Sequence, residues 1–114
     1  MNIHDRELLA KVARSVSSVF TFENGRPQRI ARFHAARPTT QDWNPLGSQQ
    51  DCRELEFAIL ASVHVTPLKV IVSSPLYHSK ALSEPFPPNA HAHEKEAIRR
   101  RTVTRLAGKI DMHL

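Results

Sequence analysis

The chain has 114 residues, 40% of them hydrophobic, and sixteen Lys and Arg against eleven Asp and Glu, for a net charge of +5. That size fits a single domain over residues 1–114 built on one core. No apolar run approaches the ~20 residues of a membrane helix. The opening MNIHDRELLA is charged and has no apolar signal-peptide core. The lone cysteine rules out an intramolecular disulfide. A cytoplasmic protein is the expectation.

The charge is uneven. Residues 1–40 hold seven basic and three acidic residues, net +4; residues 41–90 hold three and five, net −2; residues 91–114 hold six and three, net +3. Basic ends around a mildly acidic middle suit nucleic acid, an acidic protein surface, or plain solubility.

In chain order, Asn2 or Asp5 can cap a first helix over about residues 5–18. Leu8, Leu9, Val12, Ala13 and Val16 form its apolar stripe. The β-branched and aromatic run Val19–Phe22 then leads into Asn24-Gly25, a strong hairpin signal. Ile30 to Phe33 can form the return strand. Arg26, Arg29 and Arg32 make that segment basic, but Arg29 and Arg32 would point to opposite faces of a regular strand. Residues 35–42 read as a mostly polar connection.

The central stretch carries the clearest start signal. Pro45 pushes Asn44 towards a turn, and Ser48 is a good N-cap with Asp51 three residues on. Cys52, Leu55, Ile59 and Leu60 recur at helical spacing, with Phe57 and Ala58 nearby, while Arg53, Glu54 and Glu56 fill the outer face. Trp43, just before this helix, reads either as a plug on the core or as an exposed anchor for a partner; the plug is the simpler reading. Val63–Val65 and Val70–Val72 read as strand, interrupted or bulged at Thr66-Pro67. Residues 73–89 hold four of the eight prolines and read as a long Pro-rich loop. A last helix is expected from Asn89 or Ala90, capped by Asn89. Its buried stripe is Ala97, Ile98, Thr102, Leu106, Ala107 and Ile110, and its basic row is Arg101, Arg105 and Lys109. Acids lead and bases trail, which the helix dipole favours.

Three pieces carry a family resemblance: Asp5-Arg6-Glu7-Leu8-Leu9, Trp43-Asn44-Pro45-Leu46, and Ala97-Ile98-Arg99-Arg100-Arg101 leading to Leu106-Ala107. Together they resemble the small phage and prophage proteins of the phage ABA-sandwich domain type. The resemblance implies a helix–sheet–helix layered fold and a phage setting in a host cell, and no known chemistry. Gly47-Ser48-Gln49-Gln50 stands where that family has acids after the W-N-P-L turn, leaving only Asp51.

Seven histidines raise the question of a metal, but no Cys-x-x-Cys or His-Glu-x-x-His spacing is present. His91 and His93 would not share a helix face. Cys52 lies on an apolar stripe, where it reads as a small hydrophobe. With three glycines there is no phosphate-cradling loop. The reading is therefore no enzyme, no metal and no cofactor.

The expected architecture is α+β, a small three-stranded sheet with helices packed on it in the order α-β-β-α-β-α. The expected function is that of a non-catalytic phage or prophage accessory protein binding a host or phage protein, as an anti-defence, anti-CRISPR-like inhibitor would. The alternative is a nucleic-acid-binding module using the basic strand segment and the basic terminal helix. The candidate contact residues for either are Trp43, Arg99, Arg100, Arg101, Arg105 and Lys109.

Overall fold

The computed structural model of the chain describes residues 3–15, 20–23, 26–31, 39–77 and 81–110, the strands before residue 43 by their backbone pairing alone. The class is α+β, with three helices and antiparallel sheet. In chain order the elements are α1 (Ile3–Ser15), β1 (Phe20–Glu23), β2 (Arg26–Ala31), β3 (Thr39–Asp42), α2 (Gln49–Ala58), β4 (Ser62–Val65), β5 (Lys69–Ser73), β6 (Leu82–Pro85) and α3 (Ala92–Lys109). They follow the expected alternation with strands added to it. The strands form two sheets, β1-β2-β3 and β4-β5-β6.

The expected first hairpin is present. Glu23 pairs with Arg26, so two residues connect β1 to β2, as an Asn-Gly connection demands. The Asn24-Gly25 turn itself and the end of the return segment at Arg32 and Phe33 lie outside the described residues, as does Val16 of the first apolar stripe. Part of the expected polar connection is strand instead. Thr39–Asp42 pairs with β2, Ile30 opposite Thr40.

The second sheet departs further. Val63–Val65 and Val70–Val72 are not one interrupted strand but two antiparallel ones, with Val65 opposite Val70. The hinge is Thr66. Its N–H donates to the Lys69 carbonyl at 2.8 Å, and its hydroxyl accepts from the N–H groups of Leu68 and Lys69 at 3.2 and 3.1 Å. Pro67 supplies the fixed φ such a turn uses. The expected Pro-rich loop 73–89 contains β6, whose Glu84 stands opposite Val70. Four residues ending in a proline give no strand signal of their own, and the pairing is supplied by β5.

Helix α2 starts as expected: Ser48 is its N-cap, and its hydroxyl accepts the Asp51 N–H at 3.2 Å. It ends in a Schellman turn. Ala61 N–H donates to the Glu56 carbonyl and Leu60 N–H to that of Phe57. Leu60 sits at φ 56 in the position that usually takes glycine, so it leaves the apolar stripe expected for it and is exposed. Helix α3 starts later than expected, with His91 rather than Asn89 as N-cap, and the Glu94 carboxylate accepts the His91 N–H at 3.4 Å. Asn89 instead takes φ 60 in a turn closed by Ala90 N–H on the Pro87 carbonyl, where Asn after Pro is favoured.

The core gathers Leu9 and Val12 of α1, Trp43, Cys52, Leu55 and Ile59, Val70 and Val72 of β5, and Val103, Leu106 and Ala107 of α3. Helix α3 packs on α1, α2, β5 and β6, and α1 also touches β1 and β2. From Thr102 to Gly108 only Arg105 is not buried. The hydroxyls of Thr102 and Thr104 are satisfied within the helix, donating at 2.7 Å to the carbonyls of Ile98 and Arg100.

The turn before α2 is held by one carboxylate. Asp51 accepts the Asn44 N–H at 2.8 Å while its own N–H is held by Ser48. Replacing Asp51 with Ala leaves the Asn44 N–H without that acceptor, and urea unfolding is expected to show a loss of about 1–3 kcal/mol. Ser48→Ala alone is expected to cost about 1 kcal/mol. The double variant should cost less than the two together, because both act on one turn.

Candidate functional site

The candidate contact residues come from two places, the turn before α2 and the exposed rows of α3. Trp43 is 2% exposed and belongs to the core. The exposed-anchor reading of it is therefore corrected. The turn that holds it is closed around Asn44. The Asn44 carbonyl accepts from Gly47 and Ser48 N–H at 3.2 and 2.9 Å, and its side-chain oxygen accepts the Leu46 N–H at 3.1 Å. This drives the ring inward, where its apolar area counts.

The basic residues of α3 lie along one helix but do not form one free patch. Arg99 donates to Glu56 of α2 at 2.9 Å. Arg100 donates through Nε to the Leu46 carbonyl at 3.0 Å, tying α3 to the turn after Trp43. Arg101 pairs with Asp5 of α1 at 3.0 Å. Arg105 pairs with Glu84 of β6. Four arginines thus reach four separate elements. Lys109 is exposed, as is part of the Arg101 side chain.

Helix geometry explains the division. Residues 99, 100 and 101 are consecutive, so each points about 100° from the last. α3 is covered by different elements on different sides, and three neighbouring side chains meet three neighbours. The planar guanidinium suits this work, since it can bond a carboxylate or a carbonyl while its stem packs on apolar surface.

Glu56, read from sequence as part of the outer face of α2, is turned to α3. It meets the Arg99 guanidinium through Oε1 and accepts from the Cys52 thiol through Oε2 at 3.6 Å. Partial burial works against the Arg99 charge, but the hydrogen bond and negative charge of Glu56, with Glu96 beyond it, hold the guanidinium more firmly protonated than usual. Oε2 of Glu96 is buried with no hydrogen-bond partner among the described residues. Burial first, then the Glu56 charge and hydrogen bond, push the Cys52 thiol up to about 12. A thiol held protonated in this way is a poor nucleophile at neutral pH. The cluster is an ion pair between α2 and α3 set beside a buried thiol.

At the start of α3 the His91 and His93 rings stack, centroids 5.7 Å apart and planes 6° from parallel. This contact arises because His91 lies outside the helix as its cap. Lys95 Nζ sits 5.4 Å from the Phe86 ring centroid, a cation–π contact. Among the described residues, no three His, Cys, Asp or Glu side chains come together as a metal would require. No helix there is long and apolar enough to cross a membrane.

Sequence reasoning missed the exposed apolar residues. Phe57 is 83% exposed, Leu60 58%, Val65 51% and Leu68 77%. With Ile3, these are the exposed large hydrophobic residues of the described chain. Four of the five fall within residues 57–68, on both sides of and within β4. A signal was available for Phe57, which stands off the Cys52–Leu55–Ile59 stripe.

Comparison with protein-family models, with curated proteins and with solved structures finds no match for this chain.

Two measurements check the site. A double-mutant cycle on Arg99 and Glu56 is expected to give a coupling of about 1–2 kcal/mol, because both groups are largely withdrawn from water; the more exposed Arg101–Asp5 pair should give below about 1 kcal/mol. The second concerns pH. The folded thiol keeps its proton up to about 12, while an unfolded one releases it near 9.0. The Cys52 contribution to stability is therefore fully present below pH 9 and is lost as pH rises from 9 towards 12. Stability measured from pH 8 to 11 should fall more steeply for the natural chain than for Cys52→Ala.

Proposed function

We propose that this chain is a non-catalytic accessory protein that works by contact with another protein, and that its setting is phage or prophage, with a host or phage protein as the partner. The observation that carries the protein-contact reading is the placement of its apolar residues. A Phe, two Leu and a Val stand in water within residues 57–68, which supports reading that segment as a contact surface. The phage setting rests on the resemblance of the Asp5–Leu9, Trp43–Leu46 and Ala97–Arg101 segments.

The disposition of the arginines supports protein over nucleic acid as the partner. Phosphate binding draws on free guanidinium and ammonium groups along a surface. Arg99, Arg100, Arg101 and Arg105 are each engaged within the molecule. Using them for phosphate would mean releasing a carboxylate or carbonyl elsewhere.

The test is a pull-down from host lysate with the tagged chain, with and without nuclease. A specific protein should be recovered whether or not nuclease is present, and recovery should drop at least about tenfold with Phe57→Ser or Leu68→Ser, as for residues central to a contact. Recovery abolished by nuclease, together with steeply salt-dependent binding of duplex DNA, would overturn the reading in favour of nucleic acid.

A further inference from the structure

The two edges of the β4-β5-β6 sheet differ. β6 carries the devices that keep an edge unpaired, a charge at Glu84 and a proline at Pro85. β4 reads Ser62-Val63-His64-Val65, with no Lys, Arg, Asp, Glu or Pro. Among the described residues its outer edge pairs with no strand. Sheets ordinarily blunt such an edge with charge or proline, because exposed N–H and C=O groups template further pairing. The exposed apolar residues concentrate on the same segment, Phe57 and Leu60 before β4, Val65 in it and Leu68 in the turn after it.

Register shows which face each residue serves. Val63 and Val65 stand opposite Val72 and Val70, and directly opposed residues share a face. Val70 and Val72 are buried under α3. The apolar face therefore continues onto β4 and is cut off at Val65, which is half exposed. Ser62 and His64 lie on the other face.

From this we infer that β4 pairs antiparallel with β4 of a second copy of the chain, joining two three-stranded sheets into one of six strands about a two-fold axis at His64. The inference rests on the reading of residues 57–68 as a contact surface and assigns its β4 edge to a second copy, leaving Phe57 and Leu68 to the partner proposed above. The strand is complementary to itself in this register. His64 faces His64 of the second copy, each Val63 faces a Val65, and each Ser62 faces a Thr66. The apolar face is extended by valine pairs, and no Lys, Arg, Asp or Glu stands opposite another within the ladder. Pairing in this register covers Val65, which is 51% exposed in the single chain.

The test uses the full chain. Sedimentation from about 1 to 200 µM is expected to show a monomer–dimer equilibrium with a Kd of roughly 1–100 µM, the range of a modest interface. Val65→Lys, a charge on the pairing edge, should raise that Kd at least about tenfold while the circular dichroism and Tm stay close to the natural chain. His64→Cys places one thiol opposite itself across the axis, so oxidised glutathione should link two copies. Ser83→Cys, at the guarded edge, should not cross-link, and the buried thiol of Cys52 gives no background. A chain that stays monomeric to 200 µM, or a His64→Cys chain that cross-links no faster than Ser83→Cys, would overturn the inference. A monomeric chain that still captures a host protein through Phe57 would overturn self-pairing while leaving the contact-surface reading standing.

Discussion

The structure depends on the burial of α3. From Thr102 to Gly108 this helix is enclosed by α1, α2 and the second sheet. A helix enclosed in this way cannot send its charges to one solvent face, as a surface helix does. Its cations must find partners where they emerge, because a guanidinium withdrawn from water without one costs several kcal/mol. Arg99, Arg100, Arg101 and Arg105 emerge beside α2, the Leu46 turn, α1 and β6, and each finds an acceptor there. Their partners are not interchangeable, since each belongs to a separate element. The arginines thus fix how the elements are placed around α3 more than they add to net stability, which exposed ion pairs do only weakly.

The same constraint reaches the turn before α2. Asp51, Ser48 and Asn44 close that turn locally, and Arg100 joins it to α3 through the Leu46 carbonyl. Trp43, at the entry to that turn, is buried in the core. A bulky ring at the start of a helix gains from burial only if the backbone entering the helix has one direction. The Asn44 side chain and the Asp51 carboxylate supply that direction. The W-N-P-L segment is in this sense a device for placing Trp43, and its partners lie both seven residues away and on the far end of the chain.

Much of this was readable from local pattern, and the rest was not for identifiable reasons. The Ser48 cap, the apolar stripe of α2 and the first hairpin follow from signals within a few residues of one another. β3 and β6 do not. Thr39–Asp42 and Leu82–Pro85 have no apolar alternation and are strands because β2 and β5 offer them an edge. Thr66-Pro67 read as a bulge because the hydroxyl bonds that make it a hairpin turn leave no mark on composition. The arginines were visible as a basic row with helix-stabilising placement, but their partners lie 43, 54, 96 and 21 residues away. Periodicity carries no information over such separations. A row of cations looks the same in sequence whether it meets phosphate or its own chain.

The packing also contains an inversion. Two threonines, Thr102 and Thr104, occupy fully buried positions of α3, while Phe57, Leu60 and Leu68 stand in water. The threonines are tolerated because their hydroxyls bond back to the helix carbonyls, but they offer the core less apolar surface than a leucine would. With 40% hydrophobic residues the chain has few to spare. Placing them outside gives up burial that folding alone would favour. Leu60 adds backbone strain, holding a left-handed conformation that glycine adopts freely. Both fall in the segment that runs through β4, whose outer edge carries neither charge nor proline. Apolar exposure at Phe57, Leu60, Val65 and Leu68, a left-handed Leu60 and a strand edge without charge or proline thus fall together within twelve residues.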